Sequence, residues 1–274
     1  MPRTAGYSRT VPTTLDSLYR YPVKGLTPER LDSVALRPGR GFPADRLLAL
    51  AKPDGAYRAD DFVPLPKREY FVLLNTERLA GLRTRFDDDA RRVEVAVQGH
   101  RVLEADLGTA EGREAFVELY ARVADLPDGV RPVLAEQAGY NFTDNAKNGP
   151  RMMNAISLVS LASVRDLSQR IGRELDPLRF RSNVYLDGLE PWAERDWVGR
   201  ELQLGEVRVR VLEETGRCAA TEVDPTTARR DVPVVRLLHE HYGHENVGVF
   251  AEVLSGGVLR PGDAVAVADA VVAA

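Results

Sequence analysis

Short apolar runs, each closed by a turn signal, limit this chain to small strands and brief helices. Ser33-Val34-Ala35-Leu36 stops at Arg37-Pro38-Gly39, a turn signal. Leu47 to Ala51 is continuously apolar and leads to Asp54-Gly55, a hairpin-type dipeptide. Val93, Val95 and Val97 alternate with Glu94 and Ala96, and Gly99 separates them from Val102-Leu103, which spells a second hairpin. One short helix is expected from Thr76 to Leu82, with Asn75 as its cap. The first hundred residues therefore read mostly as strands, and such a run points to a small barrel or sandwich.

A helix follows, because Phe116, Leu119, Tyr120 and Val123 fall at i, i+3, i+4 and i+7. It stops near Pro127-Asp128-Gly129, and the polar, Asn- and Gly-rich stretch Gln137 to Arg151 reads as a loop. The boundary between two halves belongs around residues 125–150. Beyond it, Ile156 to Val159 is a buried-strand candidate, and Ser160 could cap a helix carrying Leu161, Val164, Leu167 and Ile171, terminated by Gly172. Strands are expected at Phe180 to Leu186, Leu202 to Leu204, Val207 to Leu212, Val247 to Leu254 and Ala264 to Val267, with Leu237 and Leu238 on a short helix. The expected class is mostly β with short helices (α+β), in two domains spanning 14–125 and 126–270.

With 274 residues, 44% hydrophobic and 28% charged, the chain is of ordinary globular composition. A net charge of −4 gives no bulk positive field for nucleic acid. No run of 18 apolar residues exists, so no membrane span is expected. Met1 to Thr14 lacks the apolar segment of a secretory signal and reads as a frayed tail. Of 37 cationic side chains only Lys24, Lys52, Lys67 and Lys147 are lysines. An arginine-rich composition carries no functional weight of its own; each rare lysine is worth inspecting. No Gly-x-Gly-x-x-Gly, Walker loop or Gly-x-Ser-x-Gly elbow occurs. The cluster His239, His241, His244 misses the zinc-protease spacing because position 243 is Gly, and reads as a solvated helix end.

Cys218 is the only cysteine. An internal disulfide is impossible, and a reducing, cytoplasmic compartment is the expectation. Arg217 beside it favours the thiolate, the form that attacks electrophiles and ligates metals. A lone cysteine also packs well as a small buried hydrophobe, and the residues alone leave both readings open.

The segment Arg217 to Pro225 reads Arg-Cys-x-x-Thr-x-Val-Asp-Pro. It resembles the signature of the MOSC domain (molybdenum cofactor sulfurase C-terminal domain). Three further segments agree in order. Tyr21-Pro22-Val23-Lys24-Gly25 with Asp45-Arg46 resembles the opening of the β-barrel domain that precedes MOSC domains. Phe180-Arg181-Ser182-Asn183 resembles the family's Phe-Arg-Pro-Asn, and Gly248 to Phe250 with Gly256-Gly257 and Gly262-Asp263 resembles its final strands. The resemblance covers about residues 15–268 and extends to the amidoxime-reducing components.

It implies an N-terminal β-barrel-like domain followed by a MOSC β-barrel. It also implies a molybdenum-dependent oxidoreductase that reduces N-hydroxylated small molecules of the amidoxime or hydroxylamine type. Cys218 would ligate molybdenum in a pterin cofactor (Mo-molybdopterin), which suits a soft thiolate. Lys24, Arg46, Arg181 and Arg217 match positions around the pterin and its phosphate. Gly25, Asn154, Asn183 and Gly216 fall at neighbouring contact positions. Guanidinium forks suit phosphate oxygens. Thr221 and Asp224 are candidate proton-relay or orienting groups, though Asp-Pro at 224–225 also ends a turn well by itself.

Departures fall at the cofactor and substrate positions. Gly25 and Gly216 stand where relatives have serine, Ser182 replaces proline, Phe250 replaces tyrosine, and Arg58 to Phe62 does not reproduce the relatives' Arg-Gln. One cysteine cannot hold a four-cysteine iron–sulfur cluster, so electrons are expected from a separate donor protein of ferredoxin, flavoprotein or cytochrome type. Two alternatives accompany this reading. One is sulfur transfer through a Cys218 persulfide; the other is a non-catalytic molybdenum cofactor carrier.

Overall fold

The computed structural model describes residues 12–268. Most of the tail expected over residues 1–14 lies outside the described residues. The chain runs β1 (Thr14–Arg20), β2 (Glu29–Leu31), β3 (Val34–Leu36), β4 (Leu48–Ala51), β5 (Leu82–Asp87), β6 (Arg92–Val97), β7 (His100–Asp106), α1 (Ala110–Val123) and β8 (Val133–Glu136). It continues with α2 (Pro150–Met153), β9 (Ile156–Ser160), α3 (Leu161–Ile171), β10 (Val184–Asp187), β11 (Glu201–Leu204) and β12 (Val207–Gly216). The last elements are α4 (Val234–Tyr242), β13 (Asn246–Ser255), β14 (Gly257–Leu259) and β15 (Val265–Val267).

Eight strands form the main sheet in the order β15-β11-β12-β13-β9-β10-β1-β2. All neighbours are antiparallel except β9 and β10, which are parallel. The sheet draws strands from both sides of the boundary suggested by the sequence. β1 and β2 come from the first part, the rest from the second. Alternation in β12 puts Val207, Val209 and Val211 into a core with Leu158, Leu186, Leu202, Val249 and Ala251, while Arg208 and Arg210 face out.

The mostly β class holds, but closure into barrels does not. The main sheet curls until its edge near β15 meets β1, the last strand but one, at the bridge Thr14 to Ala264 and through backbone bonds between residues 13–15 and 262–265, without a continuous ladder. The earlier strands form smaller sheets, β5-β6-β7, β4-β8 and β3-β14. The physical reason is strand length. The edge strands of the main sheet, β2 and β15, have three residues each and offer too few ladder bonds to carry the sheet around a full circle.

α1 packs Phe116, Val117, Leu119 and Tyr120 onto the three-stranded meander, and Thr109 caps it by accepting from the Gly112 amide at 3.0 Å. Gly172 ends α3 and Gly243 ends α4, both left-handed. Two expected elements differ. Residues 77–81 form only a 3-10 turn, because the Asn75 side chain accepts from the Val72 amide at 3.0 Å and is spent on the preceding turn. The strand expected from Phe180 begins only at Val184, because Arg181 takes a left-handed conformation at φ 50°. Among the described residues no helix is long and apolar enough to cross a membrane.

Candidate functional site

The residue after β1 anchors the site. The Tyr21 amide donates to Asp45 Oδ1 at 2.7 Å, and its carbonyl accepts from the Arg46 amide at 2.7 Å. Arg46, at φ 51°, pairs with Asp45 and donates to the Arg181 carbonyl at 3.0 Å. The guanidinium carbons of Arg46 and Arg181 lie 4.3 Å and 4.5 Å from the centroid of the Tyr21 ring, within cation–π range. Arg181 donates to the Leu26 carbonyl at 2.7 Å. Two non-glycine residues in left-handed backbone, both presenting guanidinium groups to one ring, are a concentration of strain of the kind found at functional sites.

β12 delivers Arg217 and Cys218 to the same place. Arg217 Nη1 donates to the Phe180 carbonyl at 2.7 Å and Nε to the Val247 carbonyl at 2.9 Å. Cys218 is half-buried and precedes the 3-10 turn Ala219–Glu222. Its carbonyl accepts from the Thr221 amide at 3.0 Å and from Thr221 Oγ1 at 2.9 Å. Thr221 therefore fixes the cysteine's backbone.

Lys24 is 7% exposed; its ammonium donates to the Phe142 carbonyl at 2.9 Å and pairs with Asp144. The other oxygen of Asp144 lies 3.7 Å from Lys67 Nζ, and Lys67 in turn lies within electrostatic reach of Cys218. Arg217 adjoins Cys218 and Lys67 lies within electrostatic reach of it, while Lys24, Arg46 and Arg181 are linked to one another through Tyr21 and Asp144; Asp45 and Asp144 are the carboxylates that pair with these cations. Among the described residues neither Arg181 nor Arg217 has a carboxylate within ion-pair distance; their bonds go to carbonyls. Burial pushes Arg217 down to about 10 and lowers Arg181 as well. Burial also lowers Lys24, against the pull of Asp144. The Asp144 side chain is half exposed; the desolvation around it, which would raise its pKa, is overcome by Lys24 and Lys67, which hold it well below the usual carboxylate range.

Gly25 sits at φ 88°, and a Cβ there would lie 3.1 Å from Val72 Cα and 3.2 Å from the Phe71 carbonyl. Glycine is dictated by backbone and by close approach. At Gly216 an added Cβ would meet only the side chains of Asn246 and Glu245, at 3.6 Å or more. Asn183 is occupied by the sheet. Its Oδ1 accepts from Ser157 N at 3.1 Å and Ser157 Oγ at 2.9 Å, and its Nδ2 donates to the Tyr19 carbonyl at 3.2 Å. Asn154 donates within its own turn, to the Pro150 carbonyl at 2.9 Å. Asp224 takes the Thr226 and Thr227 amides on Oδ1, at 2.8 Å and 2.7 Å, and the buried Arg179 on Oδ2 at 2.7 Å. Burial, which would raise its pKa, is overcome by those amides and Arg179.

Lys67, Asp144 and Tyr21 belong to the site without having stood among the expected ligands. The scarcity of lysine was the one signal for Lys67. Asp144 lies in the stretch read as a loop, where nothing in sequence marks it. His244 accepts from the Asn246 amide at 3.1 Å and meets the Trp192 ring edge to face, with centroids 5.5 Å apart. Among the described residues no three His, Cys, Asp or Glu side chains are grouped to hold a metal ion. A cavity of about 500 Å³ beside α3, lined by Leu161, Val164, Leu175 and Pro177, includes none of the cations around Cys218.

Residues 142–266 match the family model described as the MOSC domain. The chain carries a MOSC domain. The matched residues contain Asp144, Arg181, Arg217 and Cys218; Lys24, Arg46 and Lys67 lie outside the match and are brought to it by the fold. The MOSC domain associates the chain with the molybdenum cofactor in the broad sense. The chain is similar to "Mitochondrial amidoxime-reducing component 1" of Homo sapiens, 34% identical over 70 residues, 26% of this chain and 20% of that protein. It is also similar to the protein of the same name in Mus musculus, 26% identical over 138 residues, 49% of this chain and 40% of that protein. The chain thus spans less than half the length of these relatives. Among solved structures, the YUAD protein from Bacillus subtilis aligns over 93% of this chain and 94% of that one, at 12% identity and a TM-score of 0.45.

Proposed function

We propose that this chain is a molybdenum-cofactor-dependent reductase of N-hydroxylated small molecules, drawing electrons from a separate donor protein. The observation that carries the reading is the cationic cluster that starts at Arg217, beside the half-buried Cys218, in which neither Arg181 nor Arg217 has a carboxylate within ion-pair distance among the described residues. Such guanidinium groups suit a multiply charged anion that supplies what the protein withholds. The terminal phosphate of a molybdopterin, with about two negative charges near neutral pH, fits that need.

In this reading residues 126–270 supply the metal ligand, Cys218, with Arg181 and Arg217. Residues 14–125 supply Lys24 and Arg46. Backbone N–H groups at Gly25 and Gly216 take the place of hydroxyl donors. When bound, the cofactor would supply two-electron chemistry at an N–O bond. The chain's own contribution is to fix the cysteine through Thr221 and to stack two arginines on Tyr21. Asp144 holds Lys24 and Lys67 together, and Lys67 keeps cationic charge within reach of the sulfur.

The test is purification from a host that makes the cofactor, followed by metal and pterin analysis. Stoichiometric molybdenum that is lost in Cys218→Ser, with reduction of benzamidoxime under a chemical reductant, supports the reading. Cyanide-releasable sulfur without metal would replace it with sulfur transfer. Arg181→Gly removes the guanidinium while keeping the left-handed backbone. One charged hydrogen bond contributes about 1.5–3 kcal/mol, so pterin retention should weaken by roughly 10–100-fold.

A further inference from the structure

Arg230 ties the turn that follows Cys218 to a distant part of the chain. The turn is short, Ala219–Glu222, and Cys218 enters it in extended backbone at φ −133°. A single 3-10 turn has poor hydrogen-bond geometry of its own, so its placement depends on what holds it. Arg230 Nη1 donates to the Ala219 carbonyl, one residue past the cysteine, and to Glu222 Oε2 at 3.1 Å. Its Nη2 donates to the Leu73 carbonyl at 3.0 Å and the Leu74 carbonyl at 3.2 Å. A guanidinium is planar and rigid, so one side of the fork serves the turn and the other serves a segment far away in sequence. The Arg230 backbone bridges Val223, the residue that closes the turn, and Val223 packs in the same core as Leu73 and Leu79. Arg83 also holds this loop, but beyond the turn, through the Pro225 carbonyl at 3.0 Å.

We propose that Arg230 is a positioning residue that clamps the Cys218 turn onto Leu73 and Leu74 and so presents the sulfur to its ligand in one fixed orientation. The ligand rests on the reductase reading; the clamp does not. Thr221 fixes the Cys218 carbonyl from inside the turn, whereas Arg230 fixes the turn against the rest of the protein. It acts through the backbone at Ala219. Charge alone would not serve, because an ammonium donates from one point and cannot span both segments.

The single cysteine makes the test direct. Alkylation of Cys218 in the metal-free full chain is timed with iodoacetamide, a neutral reagent, above the pH at which the rate levels off, so that every variant is compared as thiolate. Arg230→Ala should speed the reaction by about tenfold, because the turn opens more often. Arg230→Lys keeps the charge without the span and should be speeded too; it also carries the test should the alanine variant not fold. Arg83→Ala loosens the same loop beyond the turn and should stay within about twofold of the unaltered chain. A rate unchanged in Arg230→Ala, a rate held at the original value by Arg230→Lys, or an equal rise in Arg83→Ala overturns the proposal. With the loaded protein, the paramagnetic signal of half-reduced molybdenum should broaden in Arg230→Ala, and kcat for benzamidoxime should fall with KM little changed. Absence of molybdenum from the unaltered protein would sink the reductase reading, while the alkylation rates would still decide the role of Arg230.

Discussion

Asp144 binds two lysines at once. One oxygen pairs with the enclosed Lys24, and the other stands 3.7 Å from the half-exposed Lys67. Lys24 is fixed just after β1, and Asp144 belongs to the matched MOSC residues, so this carboxylate joins distant parts of the chain.

That pairing sets a pH dependence. The folded-state pKa of Asp144 is depressed, so its contribution to stability is present above the unfolded value of about 3.9 and is lost as pH falls through the folded one. Asp144→Asn should cost about 1 kcal/mol at neutral pH, because the enclosed Lys24 keeps its Phe142 carbonyl but loses its carboxylate, which is half exposed. It should cost much less in strong acid. Urea unfolding of both proteins at neutral and acid pH measures this, and parallel stability curves across that range would refute it.

The two glycines that replace serines should respond differently. Gly25→Ser forces a side chain into φ 88° with a Cβ 3.1 Å from Val72 Cα. A loss of about 1–3 kcal/mol is expected. Gly216→Ser meets open space by comparison, its nearest neighbour being Asn246 Oδ1 at 3.6 Å, and should change stability by less than about 0.5 kcal/mol. Thermal unfolding of the pair separates the two; equal shifts would contradict the packing described for Gly25.

Asp224 is expected to act through the fold. Both of its oxygens are occupied, one by two turn amides and one by Arg179, which is 3% exposed. Asp224→Asn should destabilise by about 1–3 kcal/mol, because a buried guanidinium loses one of its two carboxylates, Asp231 remaining. The pH profile of kcat should keep its shape. A displaced limb in that profile would instead mark Asp224 as a proton relay.

Local chemistry made much of this protein legible. Alternating valines placed β6 and β12, the Phe116-Leu119-Tyr120 stripe placed α1, and Gly172 and Gly243 marked helix ends, because side-chain period and left-handed backbone are properties of a few adjacent residues. Arg217 and Cys218 could be singled out for the same reason. Three things lay beyond such reasoning. The Arg181 turn shortens an expected strand, since a left-handed arginine is stabilised by partners at Tyr21 and Leu26, far away in sequence. The main sheet curls until β1 meets the β15 edge through a few backbone bonds, since closure depends on how short strands sum their twist. Asp144 and Lys67 become site residues only when the fold brings the 140s and the 60s to the end of β12. Sequence determined which residues could carry charge and sulfur; tertiary structure decided which of them meet, because Coulomb energy depends on separation in space and not on separation along the chain.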